Sequence, residues 1–569
     1  AGLPKAPSSY NPVANPKRAK ARQAYVLRRM QELGYLSDAQ VAEAQKQEIR
    51  VHRQLDEFAA HAEHVAELVR QVLYERYPDE VYTRGFRVYT TLSKDDQIAA
   101  YAAVRKGVLE YDRRHGYRGP EGYVSLPPGA PEDPLEDVLQ EFPDSGDLLA
   151  AVVLEASPKE VKAYRRGGEI VTIEEANLRF AAAALAAKTP PNRRIRRGAV
   201  IRIQKEGKGW QLLQLPEVEA SLIALDPRSG AVRALVGGFD FQRNKYNHVT
   251  QAWRQPGSSF KPFIYSASLE KGFTPATVIN DAPVVVDASL TGGLVWEPRN
   301  YDSKYEGPMR LRSALVKSKN MVSIRILQSI GPQYAQDYVT RFGFDADRHP
   351  PYLTLALGSG SVTPWQMARA YSVFANGGYR IDPYLIERIV DDRGNLLAQA
   401  QPPQVGDESL RVIDARNAFI MDSMMRDVVR SGTAARAASL GRKDLAGKTG
   451  TTNDYVDAWF AGYQRELMGV AWIGFDQPKK LGPNETGALA ALPIWMSYMN
   501  RALKAIPEWQ PEAPPGVVSV RIDPETGMQS PDGMVAEYFY REFLPAEQPT
   551  ATAERAPTRS SEEVRSQLF

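Results

Sequence analysis

AGKTGTTNDYVDAWFAGYQRELMGVAWIGFD, residues 446–476, is the stretch on which the fold turns. DAWFAGY (457–463) and MGVAWIGFD (468–476) are rich in aromatic and β-branched residues, and a short polar link, QREL, separates them. They read as neighbouring strands, with KTGTT entering beside them as an edge strand. Far upstream, EASLIALD (219–226) and AVRALVGG (231–238) flank the turn DPRSG, where Asp-Pro and Ser-Gly punctuate a β-hairpin. Between these distant strands lie helical runs: LRSALV (311–316), MVSIRILQSIG (321–331) and TPWQMARAYSVFANGG (363–378), the last closing on glycines as a helix C-terminus does. A further helix is expected from about Ala488 to Leu503. Strands at both ends with helices between them imply one antiparallel sheet with helices packed on it, an α+β unit over 216–505.

The chain has 569 residues, too many for one ordinary core, so further units are expected outside this one. From Lys17 to about Arg53 the composition is helical, and Ser37 stands as an N-cap before GYLSDAQVAEAQKQ turns periodic. A helix over 58–77, a strand in RGFRVYTTLS (84–93) and a helix over 95–110 follow. From 113 to 215 Pro-rich loops separate short strand candidates such as LLAAVVLEAS (148–157) and AVIRIQKEG (199–207), which suggests a small β-rich inserted domain. The acidic stretch EDPLEDVLQEFPDSGD (132–147) reads as a solvated loop. From Pro507 onward the chain is rich in Pro and Glu, and beyond about Glu547 it reads as disordered.

Composition excludes several chemistries. The formal charge is +3 with acids and bases interspersed, which argues against a nucleic-acid surface. There is no cysteine, hence no disulfide, thiolate metal site or cysteine nucleophile. Six histidines are scattered; His61 and His64 could share a helix face, but no metalloprotease signature accompanies them, and they read as surface residues rather than metal ligands. No run approaches the roughly 18–20 apolar residues that span a bilayer. The opening AGLPKAPSSYNPVANP lacks an initiator methionine, so an anchoring or targeting segment is expected to precede it.

Three short motifs carry the chemistry: Ser258-Ser-Phe-Lys261, Ser318-Lys-Asn320 and Lys448-Thr-Gly450, about 60 and about 130 residues apart. Each alone is weak, since S-x-x-K recurs at Ser268–Lys271 and S-x-N at Ser9–Asn11. Ser258 follows Pro256 and Gly257 at a loop-to-helix transition, where backbone N–H groups are unpaired, whereas Ser268 lies late in the helix that Gly272 ends. Three residues apart on a helix, Ser258 and Lys261 share a face, so Lys261 can act as base once its ammonium is deprotonated. Burial and the charge of Lys448 would both lower its pKa. Ser318 sits in a break between helices and can relay a proton, and the Asn320 amide can hold a substrate carbonyl. Lys448 with the Thr449 and Thr451 hydroxyls suits a terminal carboxylate, while Gly450 admits close backbone approach.

This ordered combination is shared by penicillin-binding proteins and class A β-lactamases. With RQPGSSFKPFIYSASLEKG, KSKNMVSIRIL, LALGSGSVTPWQMARAYSVFANGG and AGKTGTTNDYVDAWFAGY, the chain resembles the class A penicillin-binding proteins of the 1a type from Gram-negative bacteria. The resemblance implies a transpeptidase domain over 216–505, an OB-like insert over 113–215, a remnant of a glycosyltransferase domain over 1–55, a linker region over 56–112 and a partly disordered extension over 506–569. It implies attack by Ser258 on the D-Ala-D-Ala of a peptidoglycan stem peptide, with the N–H groups of Ser258 and Thr451 as the oxyanion hole, and acylation by β-lactams. No cofactor is required. Placement at the periplasmic face of the inner membrane, through an anchor outside this chain, is also implied. The glutamate-bearing motifs of glycan polymerisation are absent, so this chain is expected not to polymerise lipid II although its parent would. Two rivals stay open: a serine β-lactamase, and a non-catalytic β-lactam sensor or peptidoglycan-binding scaffold.

Overall fold

A computed structural model describes residues 10–12, 16–47, 60–126, 133–286 and 296–548. Its centre is a five-stranded antiparallel sheet in the order 446–451, 457–464, 467–474, 219–225, 232–236. Segments more than 200 residues apart, 219–236 and 446–474, therefore meet in one sheet, as the strand pattern implied. Asp457–Gln464 and Leu467–Gly474 are buried along their whole length, which explains why they read as continuous apolar runs rather than as alternating ones. Helices Pro364–Ala375 and Ala415–Ser431 pack on one face. On the other, Trp495 of helix Leu492–Ala502 stands edge-on to Phe460 and donates to the Gly462 carbonyl at 3.0 Å. That helix begins with a wider π turn, Gly487–Ala491.

The region proposed as a linker supplies part of this body. Strand Arg87–Thr90 pairs with Ile386–Val390, and helix Lys94–Arg114 runs along Leu492–Ala502. Gly107 makes the close crossing possible, since a Cβ there would fall 2.3 Å from Ile494 Cγ1. A second sheet, with strands 122–123, 199–206, 149–156, 160–165 and 169–174 in order and 209–213 on 199–206, forms the inserted unit around its own core. Helices Pro16–Glu32 and Asp38–Lys46 stand at the N-terminal side, the second with Ser37 in a full capping box with Gln40.

Two sequence readings need correction, of the acidic stretch and of His64, and one element of the extension is added. The acidic stretch 132–147 is not a loop: Asp133–Gln140 is a helix, because Leu135, Val138, Leu139 and Phe142 form an apolar stripe that packs into a small core. The extension contains an ordered hairpin, Val517–Ile522 with Val535–Tyr540, pinned by buried Ile522 and Phe539. His64 is buried, 6% exposed, and burial depresses its pKa to about 4, so it is not a surface histidine. The disorder read beyond Glu547 concerns residues that, after Gln548, lie outside the described ones, as do Ser9 and residues 48–59 of the helical stretches. No helix among the described residues is long and apolar enough to cross a membrane.

Candidate active site

Ser258 sits in a tight 3-10 turn, Gly257–Phe260, that leads into helix Lys261–Glu270. Ser258 is half-buried while its neighbours Gly257, Ser259 and Phe260 are buried, leaving its side chain as the reachable group of the turn. The turn is fixed from behind: Tyr371 Oη donates to the Ser259 carbonyl, Ser259 Oγ to the Pro256 carbonyl at 2.7 Å, and Trp459 Nε1 to the Gln255 carbonyl at 2.9 Å. The rival S-x-x-K serine, Ser268, is fully buried and donates to the Tyr265 carbonyl at 2.7 Å, so it is not an available nucleophile.

Glycines let four backbone segments converge here. Gly257 has φ +55°, and a Cβ on it would lie 2.4 Å from the Thr451 carbonyl oxygen. A Cβ on Gly450 would lie 2.4 Å from the Pro256 oxygen, one on Gly487 2.4 Å from the Gly450 oxygen, and one on Gly358 2.2 Å from the Gly257 oxygen. The serine turn is thus pressed against the Lys-Thr-Gly strand at distances no side chain permits.

The three motifs meet at Ser318. It occupies the left-handed region, φ +57°, between helices Leu311–Val316 and Asn320–Ile330. Lys261 Nζ donates to the Ser318 carbonyl at 2.6 Å and to Asn320 Oδ1 at 2.7 Å, and lies 3.4 Å from Ser318 Oγ. Lys448 Nζ donates to Ser318 Oγ at 2.8 Å from the opposite side. Among the described residues the Lys261 ammonium donates to these groups and not to Ser258, whose carbonyl accepts the Lys261 backbone N–H. Both lysines are fully buried. Burial, and then the charge of Lys448, push Lys261 well below the ordinary lysine range, against an opposing pull from Asp281. Burial alone brings Lys448 down to about 7. Thr449 shares a 2.7 Å hydroxyl contact with Thr433, and Thr451 Oγ1 accepts from the Gly487 N–H at 3.0 Å.

Sequence reasoning missed the shell that holds these groups. Asn300 Oδ1 accepts the Asn320 N–H at 2.8 Å, and Asn300 Nδ2 donates to Asp281 at 2.7 Å and to the Lys304 carbonyl. Lys319, the middle residue of its motif, is 4% exposed and pairs with Glu306 at 3.0 Å, Asp302 at 3.4 Å and Asp281 at 3.5 Å. No local pattern marks Asn300 or Asp281, because Asn300 meets Asp281 and Asn320 across 19 and 20 residues of chain and Asp281 meets Lys319 from still further away. Among the described residues no group of three or more His, Asp and Glu side chains is arranged to hold a metal.

Comparison with known proteins gives the family. Residues 220–479 match the penicillin-binding protein transpeptidase domain and residues 117–218 the penicillin-binding protein OB-like domain. The chain is 47% identical over 553 residues to penicillin-binding protein 1A of Neisseria lactamica, covering 96% of this chain and 67% of that one. It is 42% identical over 592 residues to penicillin-binding protein 1A of Pseudomonas aeruginosa, covering 95% and 71%. The crystal structure of penicillin-binding protein 1A from Haemophilus influenzae superposes with a TM-score of 0.83 at 36% identity, over 96% of this chain and 85% of that one. The chain spans about two thirds of the length of these curated relatives. Three motifs joined at one serine, on a sheet flanked by an OB-like insert, and these likenesses place the chain in the class A penicillin-binding proteins of the 1A type.

Proposed function

We propose that the chain cross-links peptidoglycan stem peptides through an acyl-enzyme on Ser258. What carries the reading is the pair of buried lysines that converge on Ser318, one of them opening the helix into which the turn of half-buried Ser258 leads. Lys261, held well below the ordinary lysine range by burial and by the charge of Lys448, takes the Ser258 proton as Oγ attacks the penultimate D-alanine carbonyl. The N–H groups of Ser258 and Thr451 hold the developing oxyanion. The C–N bond breaks, and the proton passes from Lys261 through Ser318 to the departing D-alanine amine. An amine of a neighbouring stem then attacks the ester, gives up a proton along the same path and frees Ser258. Water in its place gives carboxypeptidase activity. Lys448, drawn to its charged form by the bound carboxylate, orients the donor with Thr449, Gly450 and Thr451. β-Lactams enter as donor mimics.

The intact parent is proposed to carry a glycosyltransferase, of which 1–55 is the end, and to act at the periplasmic face of the inner membrane through an anchor. The proposed divisions are 56–112, 113–215, 216–505 and 506–569 for the remaining units.

Intact-mass spectrometry during incubation with benzylpenicillin tests the reaction. One long-lived adduct is expected, absent in Ser258→Ala. Rapid return to the unmodified mass with drug consumption would mean a β-lactamase, and no adduct at all a scaffold.

A further inference from the structure

Helix Lys94–Arg114 lies outside both matched segments, yet its C-terminus reaches the edge of the substrate site. Arg114 Nε and Nη2 donate to both oxygens of Glu485 at 2.9 and 2.8 Å. The Glu485 side chain is 4% exposed, so this fork is its charge partner away from water, with His115 Nε2 a further 3.8 Å contact. One turn back, Tyr111 Oη donates to the Leu481 carbonyl. The loop from Leu481 to Gly487 is thereby held at Leu481 and at Glu485 by one helix.

The other side of that loop is the site. Leu481 N–H donates to the Tyr455 carbonyl at 2.8 Å, just past the Lys-Thr-Gly strand. Gly487 N–H donates to Thr451 Oγ1, and its Cα lies so close to the Gly450 and Trp459 carbonyls that no Cβ fits. Asn484, at φ +64°, accepts from Tyr301 Oη at 3.4 Å, on the segment that carries Asn300. A shift of Glu485 is therefore passed within two residues to the strand that carries Thr451, whose amide is the oxyanion donor of the reading above.

We propose that the Arg114–Glu485 pair is a positioning device: it sets Gly487 against Thr451 and so fixes the oxyanion donor, making acylation depend on a helix outside the transpeptidase segment. This rests on the acyl-enzyme reading above. Arg114 and Glu485 touch no reacting atom and act through the placing of Thr451, whose amide is the proposed oxyanion donor, so their loss is read first in the acylation rate constant.

The test is stopped-flow acylation by a fluorescent penicillin, which separates the dissociation constant of the first complex from the acylation rate constant. It compares wild type with R114A, R114K, E485Q and, as control, R113A, whose side chain reaches Gln211 instead. R114A and E485Q are expected to lower the acylation rate constant about 10- to 100-fold with the dissociation constant within about twofold, and R114K to recover part of it, as expected for a displaced donor. R113A should match wild type. Equal acylation rates in all variants would overturn the proposal, as would a loss confined to the dissociation constant. Should R114A not fold, the isosteric E485Q decides by hydrogen exchange: amides of 449–452 gain exchange while those of 219–225 do not, and no difference between the two segments refutes the brace. Absence of any adduct on wild-type Ser258 would instead remove the acyl-enzyme reading, and the exchange result would still judge the brace.

Discussion

Lys448 shows how a single residue is spent on function. Its folded pKa is about 7 against 10.5 for a free lysine, because burial strips its ammonium of water. Above pH 7 the unfolded chain keeps this proton and the folded one gives it up, so unfolding binds protons and stability rises with pH until the unfolded lysine titrates near 10.5. Lys448→Met is therefore expected to stabilise the fold at pH 7 by a few kcal/mol while abolishing substrate recognition. Urea unfolding at pH 7 and pH 9 checks it: the gap between variant and wild type should narrow at the higher pH. Gly257→Ala is the converse case. Its Cβ meets the Thr451 oxygen at φ +55°, so a loss of about 1–3 kcal/mol and a severe fall in penicillin acylation are expected, read by thermal unfolding and adduct mass. The letters of the three motifs were plain in the sequence. That Ser318 is their meeting point was not, since it depends on a left-handed residue and on contacts spanning 57 and 130 residues.

Among the elements, the buried strands were legible because they are long, aromatic and bounded by turns, and the helix Pro364–Ala375 because Thr363 and Gly377 mark its ends. The hairpin 517–540 was hidden: its buried apolar side chains, Ile522 and Phe539 in a small core and Tyr540 in the main one, are few and unevenly spaced, and its Pro- and Glu-rich surroundings look unstructured. What docks it is electrostatic. Glu537, fully buried, receives Arg312 at 2.5 Å, and Arg312 also donates to Asp427 at 2.9 Å and to Ser423. Arg312→Ala leaves a buried carboxylate with Arg310 alone, 3.5 Å away, and is expected to cost about 3–5 kcal/mol. Limited proteolysis should then cut between 507 and 517 at protease levels the wild type withstands.

For the molecule as a whole, the inserted unit is a separate body with its own core, and its two ends are fastened together by Gln214, which donates to the Gly116 carbonyl at 3.0 Å and accepts the Arg118 N–H at 2.8 Å. Replacing 118–213 with a short Gly-Ser link should leave benzylpenicillin acylation within about threefold of wild type, measured by the same adduct mass. A larger fall would show that the insert steadies the catalytic body. The sequence could separate these units by composition but could not tell that helix Lys94–Arg114 belongs to the catalytic one, because the Gly107–Ile494 crossing leaves no periodic signature. The glycine convergence behind Ser258 has a consequence for inheritance. With no slack between Gly257, Gly358, Gly450 and Gly487, any amino-acid replacement there must displace a neighbouring backbone carbonyl and is expected to cost catalysis as well as drug capture. A bacterium under antibiotic selection therefore has few viable escapes at the nucleophile itself, and adaptive substitutions must accumulate in the bordering loops, where altered recognition can be separated from catalysis.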